Sequence, residues 1–169
     1  MQALIFRFFD ICILRAGPQD LPSSLFLLRS VVLLSTIVGI FLNLPTEGFS
    51  QSLAISLFNV VLLTGFLYFG LKLRNKLPRF RQSLAAMMGT NIIIGLVMMP
   101  FMFALVSAKL DGESSPIALQ VFLLLLVWDI TVFAHIIRHS FDIRLRYGFL
   151  VSLGYLILSW MLIDVIFVT

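Results

Sequence analysis

One acidic residue stands deep inside a long apolar run. Asp129 lies nine residues before Arg138, so roughly 13 Å below the end of its run at 1.5 Å per helical residue. An ionised carboxylate at that depth in hydrocarbon costs at least ~3 kcal/mol on insertion scales, so the side chain must face other helices rather than lipid. By the same rise Asn91 lies about 10 Å in and Asn59 about 18 Å in, and Thr131 and Ser35 fall in the same layer. A carboxylate among amides and hydroxyls is the chemistry of a cation- or proton-binding site. The plainer alternative is a hydrogen-bonded polar layer that fixes helix packing. Transport paths generally carry more than one deep ionisable group. Asp164, only five residues from Thr169, does not supply a second.

His135 and His139 are four residues apart on one helix face, and Asp142 follows three later. Two imidazoles and a carboxylate at this spacing are a weak metal-ligand pattern, without the Glu of a zinc hydrolase. Amid Arg138, Arg144 and Arg146, the cluster reads more simply as an interfacial contact for anionic lipid or an acidic partner. No phosphate loop, His-Glu-x-x-His, Gly-x-Ser-x-Gly or Cys-x-x-Cys occurs in the chain. The expectation is therefore a non-enzymatic protein without a cofactor. Cys12 is the lone cysteine, so no internal disulfide can form.

The elements that must position these residues are five apolar stretches, near 25–44, 51–71, 84–108, 117–137 and 147–168. Each holds the roughly 20 residues needed to cross a ~30 Å hydrocarbon layer. Apolar residues make up 60% of the 169-residue chain and charged residues only 12%, which excludes a water-soluble domain. The sequence predicts an all-α integral membrane protein, a single five-helix transmembrane domain over 23–169. A segment 1–22 precedes it, comprising a short amphipathic helix and a Pro-rich break. Residues 1–16 are too short to span, with a narrow polar face that includes Arg7 and Asp10. They read as an interfacial helix, with packing into the bundle as the alternative. Gly17-Pro18 and Leu21-Pro22 break it, and Ser23 or Ser24 can cap the first span. The first apolar run lacks a cleavage signature and is treated as a retained span.

Charge fixes the expected orientation. Of twelve Lys and Arg residues, eleven fall on one side: Arg7, Arg15 and Arg29; Lys72, Arg74, Lys76, Arg79 and Arg81; Arg138, Arg144 and Arg146. Lys109 alone lies opposite. The positive-inside rule places the N-terminus in the cytoplasm and the C-terminus outside, with a bacterial inner membrane as the expected location. The same basic residues (Arg29 apart) form the expected contact surface for anionic headgroups, other membrane proteins or further copies of the chain. Nucleic acid is not an expected partner, because the basic loops offer no folded platform.

Two spans carry stripes suited to close helix packing, Ser52-Ser56-Asn59 and Gly148-Ser152-Tyr155-Ser159. From about residue 78 to 167 the chain resembles the Yip membrane-domain family of Rab-GTPase-interacting proteins and their bacterial relatives. Pro78-Arg79-Phe80-Arg81-Gln82-Ser83-Leu84 is similar to that family's basic approach to its third span. Gly95-Leu96-Val97-Met98-Met99-Pro100 is similar to its Gly-Tyr-x-x-x-Pro pattern, with Leu96 in place of the Tyr. The fourth span with Trp128, the short basic link and the fifth span resemble its C-terminal hairpin. The resemblance implies a five-span helical protein with an inside N-terminus that binds or organises membrane partners.

The leading functional expectation is accordingly a multi-pass protein that binds membrane proteins or lipids through its cytoplasmic loops and N-terminal helix. The alternative is a small ion or solute transporter centred on Asp129.

Overall fold

A computed structural model describes residues 2–168. Six α-helices account for most of them: α1 (Gln2–Cys12), α2 (Leu25–Asn43), α3 (Phe49–Leu73), α4 (Phe80–Leu110), α5 (Pro116–Phe141) and α6 (Leu145–Ile163), the last continued by a π-helical turn, Asp164–Val168. There is no strand among the described residues. Helices α2 to α6 are each long and apolar enough to cross a membrane. The protein is therefore an all-α integral membrane bundle, as expected.

The helices outrun the apolar stretches at several ends, notably at the start of α4 and at Phe141 of α5. Apolarity marks the part of a helix that sits in hydrocarbon, whereas the charged turns beyond it remain helical. Helix α4 also runs unbroken through Pro100. Ser24 caps α2, its Oγ accepting from the Leu27 amide at 3.4 Å.

Around the bundle the order is α3, α2, α4, α5, α6. The ring closes where α3 meets α6 and its extension. There Gln51 donates to the Phe167 carbonyl at 2.8 Å, Phe58 lies edge-on to Phe167, and Phe66 approaches Tyr155. Small residues set the tightest crossing: a Cβ on Gly148 would sit 2.6 Å from the Ala134 carbonyl oxygen, so only glycine lets α5 and α6 approach this closely. Ser152 reinforces the same seam by donating to the Ile130 carbonyl at 3.2 Å.

The contiguous apolar core is concentrated at one end of the bundle. Leu67 and Leu71 near the end of α3, Leu84 and Met87 near the start of α4, and Ile136 and Ile137 near the end of α5 are almost wholly buried. The loops at this end are joined to each other. Arg74 donates through Nε to the Phe141 carbonyl (3.2 Å) and through Nη2 to that of Asp142 (3.3 Å), Lys76 pairs with Asp142 at 3.1 Å, and Arg79 donates to the His139 carbonyl at 3.1 Å. Asp142 is fully exposed, and its hydrogen bond and attraction to Lys76 hold its carboxyl below the usual carboxylate range.

The N-terminal segment docks onto this same end. Its helix has an exposed apolar face at Ile5, Phe6, Phe9 and Ile13, and its other face is packed. Phe8, Ile11 and Cys12 are buried against α4 and α5. Leu14 takes a left-handed φ of +64°, at a cost of about 1–2 kcal/mol for a non-glycine residue, and ends the helix there. The Arg15 amide closes that turn onto the Asp10 carbonyl at 2.8 Å. Three bundle side chains hold the backbone on either side of this turn. Trp128 Nε1 donates to the Cys12 carbonyl (2.8 Å), His135 Nε2 to that of Ala16 (3.1 Å) and Gln82 Nε2 to that of Leu21 (2.7 Å). The Phe8 ring lies directly over Gly89, where a Cβ would overlap it.

Burial, with the Asp129 carboxylate adding to it, pushes the Cys12 thiol up to about 12, so at pH 7–8 it is neutral as well as covered. A permeant maleimide is therefore expected to leave Cys12 unmodified in the native protein. Gly89→Val, which evicts the Phe8 ring, is expected to raise the labelling rate at least about tenfold. Equal rates in the two proteins, read by intact mass, would show that α1 is not docked here.

Candidate functional site

In the opposite half of the bundle the core gives way to a cavity of about 280 Å³. All five spans line it. Helix α2 contributes Ser35 and Asn43, α3 Ser56 and Asn59, α4 Asn91, α5 Asp129, and α6 Tyr155 and Ser159. Each comes from the face its helix turns inward. On α3, Ser56, Asn59 and Leu63 follow the 3.6-residue period, and on α6 so do Ser152, Tyr155 and Ser159. Close approach of α2 to its neighbours narrows the walls: a Cβ on Gly39 would lie 3.0 Å from Ser56 Oγ, and one on Gly95 2.7 Å from Val38 Cγ1.

Asp129 stands at the midpoint of α5, and so at mid-bilayer when α5 crosses the membrane. Among the described residues it has no hydrogen-bond or ion-pair partner. The same holds for the side-chain amides of Asn59 and Asn91 and for the Tyr155 hydroxyl, and Ser56 Oγ is buried without a partner. Tyr155 is held by stacking, its ring 5.2 Å from Phe133 with 12° between planes, and 4.8 Å from Phe66. These polar groups are thus fixed by their helices and left free at their tips. A cavity of this size holds on the order of nine waters at ~30 Å³ each. That is too large for one bare ion and sits at the small end of organic-ligand pockets.

The cavity is asymmetric along the bundle axis. Asn43 and Ser159 carry it toward the end where α2 finishes and α6 nears its own end. Toward the other end it stops at Leu63, Met88 and Phe133, behind which lie Leu67, Ile136 and Ile137.

Of the residues expected to form a buried polar site, the structure brings Asp129, Asn91, Asn59 and Ser35 together and leaves out Thr131. Its hydroxyl donates at 2.7 Å to the Val127 carbonyl of its own helix. Two residues from Asp129 is about 200° around a helix, so the two side chains cannot share a face. Ser56, Ser152, Tyr155 and Ser159, read from sequence as packing seams, also border the cavity, although Ser56 and Ser159 are largely buried and the Ser159 hydroxyl donates to the Leu156 carbonyl at 2.9 Å. The regular polar stripes on α3 and α6 were the signal for them. Gly148 and Ser152 do pack a seam, as expected.

The weak metal pattern is not assembled: no group of three ligand-type side chains gathers anywhere among the described residues. His135 and His139 do meet, with ring centroids 4.6 Å apart, but His135 engages the Ala16 carbonyl and Asp142 engages Lys76. The basic residues divide. Arg74, Lys76 and Arg79 tie loops together as described, and Arg146 stacks over the Tyr147 ring at 5.0 Å. Arg7, Arg15, Lys72, Arg81, Arg138 and Arg144 are exposed at the same end without a hydrogen-bonded partner among the described residues.

No protein-family model, no curated protein and no solved structure matches the chain.

A lone carboxylate in an apolar bundle is a target for hydrophobic carbodiimides, which attack the protonated acid. Dicyclohexylcarbodiimide is expected to add once, to the α5 peptide at Asp129, and not to Asp129→Asn. An adduct of unchanged yield in that variant would place the reactive carboxyl elsewhere.

Proposed function

We propose that the protein is a small membrane carrier whose site is the cavity around Asp129. Its ligand is a monovalent cation with part of its hydration shell, or a small polar solute moved together with a proton. One observation carries this reading: a carboxylate at mid-span, unpaired among the described residues, in a cavity to which each of the other four spans brings a polar group likewise without a partner there, Ser35, Asn59, Asn91 and Tyr155. A buried packing layer satisfies its own members, because an unsatisfied polar group in hydrocarbon costs several kcal/mol. Here the hydrogen-bonding capacity is left open toward a shared space.

The charge of the site narrows the ligand. Carboxylate, amide and hydroxyl oxygens are ligands for hard cations. One carboxylate balances a single positive charge. A divalent ion would leave an uncompensated charge at mid-bilayer, which is the costliest place for it. Anions are repelled unless Asp129 is protonated. The aromatic set Phe66, Phe133 and Tyr155 lies where the cavity meets the closed core and is the natural inner gate.

The orientation belongs to the same proposal. With eleven of twelve Lys and Arg residues at the end that carries the N-terminal segment, that end faces the cytoplasm of a bacterial cell. The cavity then faces outward. The reading as a partner-binding protein of the Yip type rests on the exposed Arg7, Arg15, Lys72 and Arg81. It is weakened by the structural use of Arg74, Lys76 and Arg79.

Purified protein in sealed liposomes, loaded with a pH dye or a sodium dye, tests the carrier directly. An imposed potential is expected to drive proton, sodium or potassium flux above that of empty vesicles. Asp129→Asn is expected to reduce the flux at least about tenfold, equivalent to ~1.4 kcal/mol, while eluting as the native protein does in detergent. Equal flux with and without the carboxylate would refute the proposal.

A further inference from the structure

A second recess lies at the basic end, remote from the cavity and independent of its role. It is walled by Gln19, Arg79, Arg138, His139, Asp142 and Arg144. Three arginines thus border one space. One carboxylate stands among them: Asp142 pairs with Lys76 at 3.1 Å and also attracts Arg79, so a single negative charge is set against three arginines and a lysine. Arg79 is oriented by its bond to the His139 carbonyl at 3.1 Å, which leaves its remaining N–H groups free. Arg138 and Arg144 are exposed and make no hydrogen bond or ion pair among the described residues. Converging like charges repel, and the natural relief is an anion held between them.

The shape of the donors selects the anion. Guanidinium forks match the oxygens of phosphate two at a time, and Gln19 can add a neutral donor. The place selects further. Helix α5 ends at Phe141, just beyond its apolar stretch, and the next candidate span begins at Leu145, so the recess sits where hydrocarbon gives way to water. Leu145 itself lines it and is exposed, with Tyr147 exposed two residues on. A group bound here would have its phosphate against arginine and apolar surface beside it, the arrangement of a phospholipid headgroup at an interface.

We propose that this recess is a specific site for a phosphate ester, supplied by the headgroup of an anionic phospholipid. A soluble phosphate compound offers the same chemistry and is separated from the lipid by the test. The full-length protein in mild detergent is examined by native mass spectrometry with phosphatidylglycerol, phosphatidylcholine or inorganic phosphate. The wild type is expected to retain phosphatidylglycerol at least about tenfold better than phosphatidylcholine. Arg138→Ala/Arg144→Ala is expected to lose that preference. Lys72→Ala/Arg81→Ala, which removes the same charge from the same end outside the recess, is expected to keep it. Arg144→Lys, with the charge but not the fork, is expected to fall between. All four residues are exposed, so the variants fold, and elution volume checks this. Inorganic phosphate that binds and is lost in the double variant, with no lipid preference, overturns the lipid assignment in favour of a soluble ester. Equal loss in both double variants overturns the recess in favour of diffuse charge. No preference in the wild type overturns the proposal outright.

Discussion

Hydrocarbon offers no hydrogen bonds, and that constraint organises this bundle. Every polar group placed at depth must find a partner in the protein or share an enclosed space with something that can enter. Thr131 and Ser152 take the first course, bonding to carbonyls of α5. Asp129, Asn59, Asn91 and Tyr155 take the second. Placing the carboxylate at mid-span costs at least ~3 kcal/mol. The rest of the fold makes it tolerable: five helices turn polar faces toward it, and the lipid-facing sides stay apolar.

The same bundle divides its two ends between different tasks. One end is stapled by buried leucines and isoleucines, by cationic side chains that cross between loops, and by the N-terminal segment. Trp128 connects the two regions. It neighbours Asp129 in the chain while its indole donates to the Cys12 carbonyl at 2.8 Å. The other end lacks such a core, and its helices enclose space instead. A packed core at one end and room at the other is the arrangement that the proposed carrier reading requires.

Much of this was legible in the chain. Span number and span positions follow from apolar run length. The clustering of positive loops follows from counting, and a layer holding Asp129, Asn91 and Asn59 follows from helical rise. What stayed hidden depended on which faces meet. A stripe such as Ser52-Ser56-Asn59 has the same period whether it packs a seam or lines a void, and it does both: Ser52 is buried while Asn59 faces the cavity. The docking of α1 was open because residues 4–14 are apolar on most of their circumference, so hydropathy does not choose between lipid and protein. Phe8 over the bare Gly89 makes that choice. Thr131 was misplaced by depth alone, since depth ignores rotation about the helix axis.

The central claim is that the cavity is wet, bordered by all five spans and accessible from the end away from the basic loops. Asn59 lies on its wall, half-buried, and its amide has no partner among the described residues to lose. The most direct measurement is the reaction of Asn59→Cys, in a Cys12→Ser background, with a small charged methanethiosulfonate applied to one side of sealed, oriented vesicles. The account predicts modification from the C-terminal side only, slowed by the transported ion. A thiol that resists the reagent from both sides, or reacts only from the side of the N-terminal segment, would contradict it.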